Sequence, residues 1–368
     1  MQDNIGNVGI IGCGNIAGIY LENLKKLPGM KVVAVADIKA EAALAKAKEY
    51  GVPKALSVAE LLNDPEVGIV LNLTIPAVHA EVTLAALKAG KHVYSEKPVA
   101  LSLSEAADIV ALAASKGLKV ASAPDTFMGA SLQTCRAVID DGLIGRPVAA
   151  TGFMMYHGPD SWHPNPEFFF KRGAGPMLDM GPYYLTALVS LLGPAKRVSG
   201  SASIGQAERE ITSEPLKGGK IIPDTPTHLT GSVDFESGVT ATLLTSFDVW
   251  HHSHLPLEIY GTEGSLQVPD PNNFGGKVML QRHDEKEWRE IPLEHAWAMN
   301  SRGLGVADLA DAVREGREPR AGLSMANHVL ELMLAFEASS LAGRHIEIKT
   351  RCARPEPLPK SSFGGTPE

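Results

Sequence analysis

The sequence has little cysteine, no excess of positive charge and no long hydrophobic run. Its 368 residues include three cysteines, Cys13, Cys135 and Cys352, which are too few and too scattered for a disulfide framework or a zinc site. Lysine and arginine total 34 against 42 aspartates and glutamates. The net charge of −8 argues against a nucleic-acid-binding protein and gives no attraction to an anionic membrane.

These absences predict a soluble, cytoplasmic protein. No apolar run approaches the ~20 residues that cross a bilayer. The first eight residues carry no basic region followed by an apolar one, so we expect no signal peptide. At ~150 residues per domain the length predicts two or three domains. No internal repeat is present.

The first third of the chain alternates apolar segments with helical patterns. The apolar segments predict strands without polar alternation at 8–11, 31–36, 69–73, 92–95 and 119–123. Helical spacing or propensity marks the intervening segments 15–27, 39–48, 78–89 and 104–116. Buried strands separated by helices predict an α/β domain with a doubly wound parallel sheet, covered on both faces.

The pattern changes near residue 124 and predicts a second, α+β domain with a large, mostly antiparallel sheet. Its predicted helices are 129–141, 178–192, 306–315 and 324–341, and its predicted strands are 148–156, 196–204, 228–235, 239–247, 255–260 and 265–268. The predicted domains are therefore 1–123 and 124–349, with helix 324–341 packing back on the first. Residues 350–368 are rich in proline and glycine and predict a strap or a disordered tail.

A glycine-rich turn follows the first strand. In segment 12–17 (Gly-Cys-Gly-Asn-Ile-Ala), Gly12 permits a tight turn and Gly14 lets the backbone approach a pyrophosphate at the start of the next helix. Asp37 ends the second strand, 25 positions beyond Gly12, where it can accept hydrogen bonds from ribose hydroxyls and repel a 2′-phosphate. The pattern favours NAD, with NADP as the alternative because Lys39 lies nearby. The alternative is a glycine-rich turn that binds no ligand, but the strand before it, the helix after it and Asp37 favour dinucleotide binding.

Three motifs occur in a fixed order. They are segments 74–79 (Thr-Ile-Pro-Ala-Val-His), 96–98 (Glu-Lys-Pro) and 173–183 (Gly-Ala-Gly-Pro-Met-Leu-Asp-Met-Gly-Pro-Tyr). Together they resemble the signatures of the Gfo/Idh/MocA oxidoreductase family. Where that family usually has histidine, this sequence has Tyr183, as in the branch that contains glucose–fructose oxidoreductase and dihydrodiol dehydrogenases.

The resemblance implies three catalytic residues. Lys97 is the candidate proton carrier, because partial burial and a positive nicotinamide both lower the pKa of an amine. Tyr183 is either an acid that shares a proton with Lys97 or a core tyrosine. Asp179 binds substrate hydroxyls, holds Tyr183, or only caps a helix. The candidate cofactor-binding residues are Gly12, Gly14, Asn15, Ile16, Asp37, Ile38, Thr74, Pro76, His79, Glu96 and Lys97.

Substrate contacts are predicted from side-chain chemistry and position. Trp162, His163 and Lys171 offer a ring and polar groups suited to a sugar, or else they anchor an interface or a loop. Thr126 and Phe127 follow the fifth strand, at the edge where α/β proteins bind ligands. His254 belongs to a His-His-Ser-His run. Strand alternation would put only two of those histidines on one side, so we expect no metal site.

We therefore expect an NAD(P)-dependent oxidoreductase that acts on a hydroxyl or carbonyl of a sugar or polyol. The resemblance also implies a homodimer or homotetramer that forms through the second sheet. Two other functions stay open. One is an NAD-dependent glycosidase that oxidises its sugar transiently, and the other is a non-catalytic dinucleotide sensor. The small-molecule substrate is expected to be a carbohydrate, with no nucleic-acid or membrane partner.

Overall fold

The computed structural model describes residues 4–365, which divide into two compact units. The first unit contains the described residues up to Gly129, then His295–Leu330 and the residues from Pro355 onwards. The second contains Ala130–Glu294 and Glu331–Arg354. The chain therefore enters the first unit three times, and the domain boundaries expected from sequence stay a prediction.

The helices are α1 (Ala17–Leu24), α2 (Ala40–Tyr50), α3 (Val58–Asn63), α4 (His79–Lys88), α5 (Leu103–Lys116), α6 (Ala130–Asp140), α7 (Gly175–Leu192), α8 (Leu304–Glu315) and α9 (Leu323–Ala342). The strands are β1 (Asn7–Ile11), β2 (Lys31–Ala36), β3 (Lys54–Leu56), β4 (Ile69–Asn72), β5 (His92–Ser95), β6 (Val120–Ser122), β7 (Pro147–Met155), β8 (Ala195–Ser203), β9 (Arg209–Glu210), β10 (Lys220–Ile221), β11 (His228–Phe235), β12 (Thr240–Ser246), β13 (Leu257–Gly261), β14 (Gly264–Val268), β15 (Val278–Arg282), β16 (Arg289–Ile291) and β17 (Ile346–Glu347). None of the helices within residues 4–365 is long and apolar enough to cross a bilayer.

A six-stranded sheet forms the centre of the first unit. Its order is β3-β2-β1-β4-β5-β6, and all neighbouring strands are parallel. β4 is buried along its whole length, as expected of a parallel strand covered on both faces. The short elements β3 and α3 were not predicted. A capping box between Ser57 and Glu60 starts α3 and is a readable sequence signal.

A nine-stranded sheet forms the centre of the second unit, in the order β16-β15-β14-β13-β7-β12-β11-β8-β17. All neighbouring pairs are antiparallel except β7 and β12. Helix α7 packs against β7, β11 and β12. On β8, Gly200 lets α9 approach closely, because a Cβ atom there would lie 2.6 Å from the Phe336 carbonyl oxygen. The predicted fold class, a parallel sheet followed by a mostly antiparallel one, is confirmed.

From Pro355 onwards, the described part of the C-terminal tail belongs to the first unit. The Arg320 guanidinium donates to the carbonyl oxygens of Glu356 at 3.1 Å and Pro357 at 3.2 Å, and Leu358 is buried. This part of the tail is therefore held in place by specific contacts. The last residues of the predicted tail segment, 366–368, lie outside the described residues, as do residues 1–3.

Candidate active site

Four turns of the first unit lie at one edge of its sheet. Strands β1, β4, β5 and β6 are consecutive neighbours and all parallel, so their carboxyl ends meet at that edge. The residues that follow them are Gly12 after β1, Thr74 after β4, Glu96 after β5 and Asp125 after β6. The fold thereby brings the predicted glycine turn and the Glu-Lys-Pro motif to a common edge.

The glycine turn after β1 has the geometry that a dinucleotide requires. Gly12 has φ +104°, and a Cβ atom there would lie 2.5 Å from the Leu73 carbonyl oxygen, so only glycine fits. Gly14 faces open space, since a Cβ atom there would meet no atom within 4 Å. Asn15 is exposed, and Ile16 at the start of α1 makes no side-chain cap. The free N–H groups of α1 are therefore available to phosphate.

Asp37 is bound by the backbone on both of its oxygens. Its Oδ2 accepts the Cys13 N–H at 2.8 Å, and its Oδ1 accepts the Lys39 N–H at 2.9 Å. Each carboxylate oxygen keeps a further lone pair, so the group can still accept from a ribose hydroxyl. Burial, followed by the charge of Asp37, raises the pKa of the Cys13 thiol to about 11.

A cavity of about 360 Å³ opens beside Asp37. Its lining includes Ile38 and Leu44, whose side chains are 93% and 61% exposed. Two exposed aliphatic side chains beside a carboxylate suit a flat heteroaromatic ring attached to a ribose. These three features fit NAD. The glycine turn would hold its pyrophosphate, Asp37 its adenosine ribose, and the cavity its adenine.

The segment after β4 is tied together by the buried Asn72. Its side chain accepts from Thr74 Oγ1 at 2.6 Å and donates to the His79 carbonyl at 3.0 Å. The buried His79 ring has Nδ1 at 2.8 Å from the Pro98 carbonyl oxygen and Nε2 at 3.0 Å from that of Thr74. Pro76 begins a short 3-10 turn between them. His79 thus joins this segment to the Glu-Lys-Pro turn.

In the Glu-Lys-Pro turn, the Glu96 carboxylate accepts a hydrogen bond on each of its two oxygens. Its Oε1 accepts the Tyr20 hydroxyl at 2.7 Å, and its Oε2 accepts the Lys97 N–H at 3.1 Å. Its own N–H donates to the Asn72 carbonyl at 2.8 Å. Burial and then the Glu96 charge hold the pKa of Tyr20 well above its usual value, so the phenol stays a donor. Lys97 is partly buried.

Asp125 lies at the same edge, after β6. Its Oδ2 accepts the N–H groups of Gly303 and Gly305, both at 2.9 Å, at the N-terminus of α8. Burial raises the pKa of this carboxyl group to about 6, although these two bonds oppose the shift. The next residues, Thr126 and Phe127, are both buried. They remain predictions as substrate contacts.

In the second unit, Asp179 and Tyr183 lie on α7. They are four residues apart in the helix and therefore share a face. The helix begins at Gly175 and not at the predicted residue 178, because Pro176 fits the first turn of a helix. Asp179 is inside the helix, so the alternative that it is an N-cap is wrong.

The loop after β7 carries Trp162 and His163. Trp162 is 59% exposed, and its ring lies 5.4 Å from that of His163 in an edge arrangement. His163 also contacts the rings of Phe168 and Phe169, and its Nδ1 accepts the Asn165 N–H at 3.0 Å. Trp162 is therefore exposed, whereas His163 is held among aromatic rings.

Lys171 and His254 have different surroundings. Lys171 Nζ is 3.2 Å from the Glu167 carboxylate and donates to the Ile222 carbonyl at 3.2 Å. His254 is exposed and stacks on Phe153, with ring centroids 4.2 Å apart. The expectation that strand alternation orders the histidine run is wrong, since it lies in an irregular segment between β12 and β13. Among residues 4–365, no three His, Cys, Asp or Glu residues group as metal ligands.

A buried ionic network of the second unit was missed from sequence. The Arg209 guanidinium forms ion pairs with Asp160 at 3.0 Å and Asp248 at 2.5 Å. It also donates to the carbonyl oxygens of His157 and Phe247. One buried cation thus fixes the segments that follow β7 and β12. The sequence around Arg209 looks like an ordinary loop. Nothing in it indicates that Arg209 is buried or that Asp160 and Asp248 are its partners.

Fold and site together define a dinucleotide-binding Rossmann protein with a second α+β unit. Comparison with known families gives two matches. Residues 6–123 match the model of the oxidoreductase family with an NAD-binding Rossmann fold, and residues 132–267 match the GFO/IDH/MocA C-terminal domain. The chain belongs to the Gfo/Idh/MocA oxidoreductase family. The predicted family, its oxidoreductase class and its cofactor, NAD, are confirmed.

Individual relatives cover nearly the whole chain. The 1,5-anhydro-D-fructose reductase of Ensifer adhaerens is 31% identical over 93% of this chain and 98% of its own length. A crystal structure of an NAD binding oxidoreductase from Klebsiella pneumoniae has a TM-score of 0.82 at 22% identity, covering 94% of this chain and 99% of that chain. Levoglucosan dehydrogenase in complex with NADH has a TM-score of 0.80 at 21% identity, with the same coverage. The two structures support the fold.

Proposed function

We propose that this protein transfers a hydride between NAD and a hydroxyl-bearing or carbonyl carbon of a sugar or polyol. The observation that carries the proposal is the common sheet edge, where the open glycine turn follows β1 and Glu96–Lys97 follows β5, two parallel strands with only β4 between them. The names of the relatives, a reductase of 1,5-anhydro-D-fructose and a dehydrogenase of levoglucosan, support a carbohydrate substrate.

The residues of the first unit divide the work of cofactor binding. The turn at Gly12 and Gly14 takes the pyrophosphate, Asp37 takes a ribose, and Ile38 packs on the adenine. Thr74, Pro76, His79 and Glu96 are proposed on the nicotinamide side of the cofactor, and Asn15 and Ile16 beside the phosphates. Bound NAD supplies the redox chemistry, because its nicotinamide accepts a hydride from a carbinol carbon or returns one to a carbonyl carbon.

Lys97 is the proposed general base and general acid of the reaction. As a free amine it takes the hydroxyl proton of the substrate during oxidation, and as an ammonium it returns that proton during reduction. Tyr183 is proposed as a further acid in the reaction, and Asp179, on the same face of α7, is proposed to orient Tyr183 or bind a substrate hydroxyl. This scheme assigns proton transfer to the chain and leaves hydride transfer to the cofactor.

The remaining assignments are finer parts of the same proposal. Substrate contacts are proposed for Thr126, Phe127, Trp162, His163, Lys171 and His254. Residues 1–123 are proposed as the cofactor domain and 124–349 as the substrate domain, whose sheet would form a homodimer or homotetramer. We also propose that NADP can serve as a second cofactor and that the protein is cytoplasmic. The exposed ring of Trp162 and the cation of Lys171 support a sugar ligand, since rings pack on C–H faces and charges bind hydroxyls.

The test combines a substrate panel with one variant. Aldoses, ketoses, polyols and glycosides are screened with NAD and NADP by the absorbance of the reduced nicotinamide. We expect Lys97→Ala to lower kcat by about 10²–10⁴-fold, the usual contribution of a general base, while the NADH dissociation constant changes little. Lys277→Ala, on an exposed lysine of the second unit, is the control. Full activity of Lys97→Ala would overturn the mechanism.

Two results of the panel would replace the proposed reaction. Cleavage of glycosides without net reduction of nicotinamide would indicate a glycosidase. Tight NADH binding without turnover of any compound would indicate a sensor. The panel therefore separates the three functions considered from sequence.

A further inference from the structure

Tyr20 is a fully buried residue whose hydroxyl bonds Glu96, the residue that precedes the proposed proton carrier Lys97. It is on α1, and none of its surface is exposed. Its hydroxyl donates to Glu96 Oε1 at 2.7 Å, across 76 positions of sequence. A buried hydroxyl needs a partner, and a carboxylate makes a stronger one than a neutral acceptor. The contact is therefore a specific link between α1 and the turn after β5.

We propose that Tyr20 is a positioning residue for Lys97 and that it acts through the carboxylate of Glu96. This inference rests on the proposed function, because it takes Lys97 as the proton carrier. Tyr20 itself touches neither substrate nor cofactor in this scheme. Its contribution is to fix the rotamer of Glu96, which in turn fixes the backbone from which the Lys97 side chain extends.

The hydrogen bonds around Glu96 supply the mechanism of positioning. With Oε1 bound to the Tyr20 hydroxyl, Oε2 stays directed at the Lys97 N–H, 3.1 Å away. On the other side of Lys97, the Pro98 carbonyl lies 2.8 Å from His79 Nδ1. The Lys97 backbone is thus held from both sides. Without the phenol, Glu96 keeps a single side-chain bond and can change rotamer.

The surroundings of Tyr20 favour the protonated, hydrogen-bond-donating form of its hydroxyl. The other titratable groups that act on Tyr20 are Tyr94 and Asp125, and both, like Glu96, raise its pKa. A carboxylate in such surroundings depends on the donors already aimed at it. Since α1 begins directly after the glycine turn, one helix would serve both the cofactor phosphates and the proton carrier.

The test is Tyr20→Phe, which removes only the hydroxyl. Tyr260→Phe is the matched control, because the Tyr260 hydroxyl also bonds a carboxylate, that of Glu258 at 3.1 Å, on β13 of the second unit. We expect Tyr20→Phe to lower kcat by roughly tenfold or more, the effect of losing a bond to a charged group. The KM of the substrate and the NADH dissociation constant should change less than about threefold.

A second measurement uses the protein without cofactor. Hydrogen exchange of the Lys97 amide should be roughly tenfold faster in Tyr20→Phe if Glu96 leaves its position, and unchanged in Tyr260→Phe. If Tyr20→Phe folds poorly, Glu96→Gln replaces it and should show the same loss of kcat and the same faster exchange. In the variant that combines Tyr20→Phe with Glu96→Gln, kcat should fall no further than in Glu96→Gln alone, because Tyr20 acts only through Glu96.

The outcomes separate this inference from the proposed function. If Lys97→Ala is inactive but Tyr20→Phe keeps the parental kcat and the parental exchange of the Lys97 amide, the positioning role is wrong and the proposed function stands. If Tyr20→Phe and Glu96→Gln lower kcat additively, Tyr20 does not act through Glu96. If Lys97→Ala stays active, the proposed function fails first, and the inference falls with it.

Discussion

The cofactor edge of the first unit and the candidate substrate residues of the second are built in different ways. At the cofactor edge, Asp37, Glu96 and Asp125 each accept bonds from backbone N–H groups. In the second unit, Trp162 and His254 are exposed and make mainly ring contacts. Hydrogen bonds specify direction, whereas ring contacts tolerate rotation and replacement. The cofactor edge of the first unit is therefore specified by directional bonds, whereas the exposed rings of the second unit are not.

The largest expected effect concerns the buried network of the second unit. Arg209→Met leaves the carboxylates of Asp160 and Asp248 without their cation, which costs about 3–5 kcal/mol of unfolding free energy. The control is Arg197→Met, whose partner is Asp234 and whose side chain is 43% exposed, so it should cost at most ~1 kcal/mol. Urea unfolding measures both. Equal losses would mean that burial does not distinguish the two pairs.

The second effect is a pH dependence of the unfolding free energy, caused by Asp125 at the cofactor edge. The folded pKa of Asp125 is raised to about 6 from an ordinary value of 3.8, so the folded state binds the proton more tightly. Its contribution is therefore fully present below pH 3.8 and lost as the pH rises through about 6. The stability of the parent relative to Asp125→Asn should fall by about 3 kcal/mol over this window. Urea unfolding at several pH values measures it, and a constant difference would contradict the shift.

The third effect compares two glycines of one turn. Gly12→Ala meets the Leu73 carbonyl and a positive φ, so it should lose about 1–3 kcal/mol of stability together with NADH binding. Gly14→Ala adds a methyl group to open space, so its stability should change by less than ~0.5 kcal/mol while NADH binds more weakly. Fluorescence titration and urea unfolding separate the two. Normal NADH binding by Gly14→Ala would remove the pyrophosphate from this turn.

The smallest effect concerns the choice of cofactor. Asp37→Asn keeps a side-chain acceptor for the Cys13 N–H but loses the charge that repels a 2′-phosphate. The ratio of kcat/KM for NAD over NADP should fall by roughly tenfold, about 1.4 kcal/mol. Glu41→Gln, on an exposed acid in the first turn of α2, is the control. An unchanged ratio for Asp37→Asn would exclude Asp37 from cofactor selection.

The sequence predicts the first unit better than the second because local signals dominate there. The apolar segment at β4 and the glycine turn at Gly12 act within a few residues, and both were located correctly. In the second unit, α7 was started late because Gly175 and Pro176 look like breakers. Strands β15 and β16 were missed because the charged residues around them suggest a loop.

The contacts at the site depend on pairs that are distant in sequence. Tyr20 is at an apolar position of its helix, and its neighbours in sequence do not indicate a hydrogen bond to Glu96, 76 residues away. Arg209 and Asp160 are separated by 49 residues. Asn72 is the exception, since a polar residue at the end of an apolar strand is itself a signal. The residue types of the site were accessible from sequence, whereas their bonding partners required the fold.

The Cys13 thiol has a consequence for chemical durability. It lies inside the cofactor turn, yet burial and the neighbouring Asp37 raise its pKa to about 11. Burial also raises the pKa of Cys352 to about 11 and that of Cys135 well above its usual value. Thiolates are the species that peroxides and alkylating reagents attack. Because the raised pKa values disfavour the thiolate at neutral pH, we expect the turn to tolerate oxidants and cysteine-directed reagents that would otherwise block the cofactor.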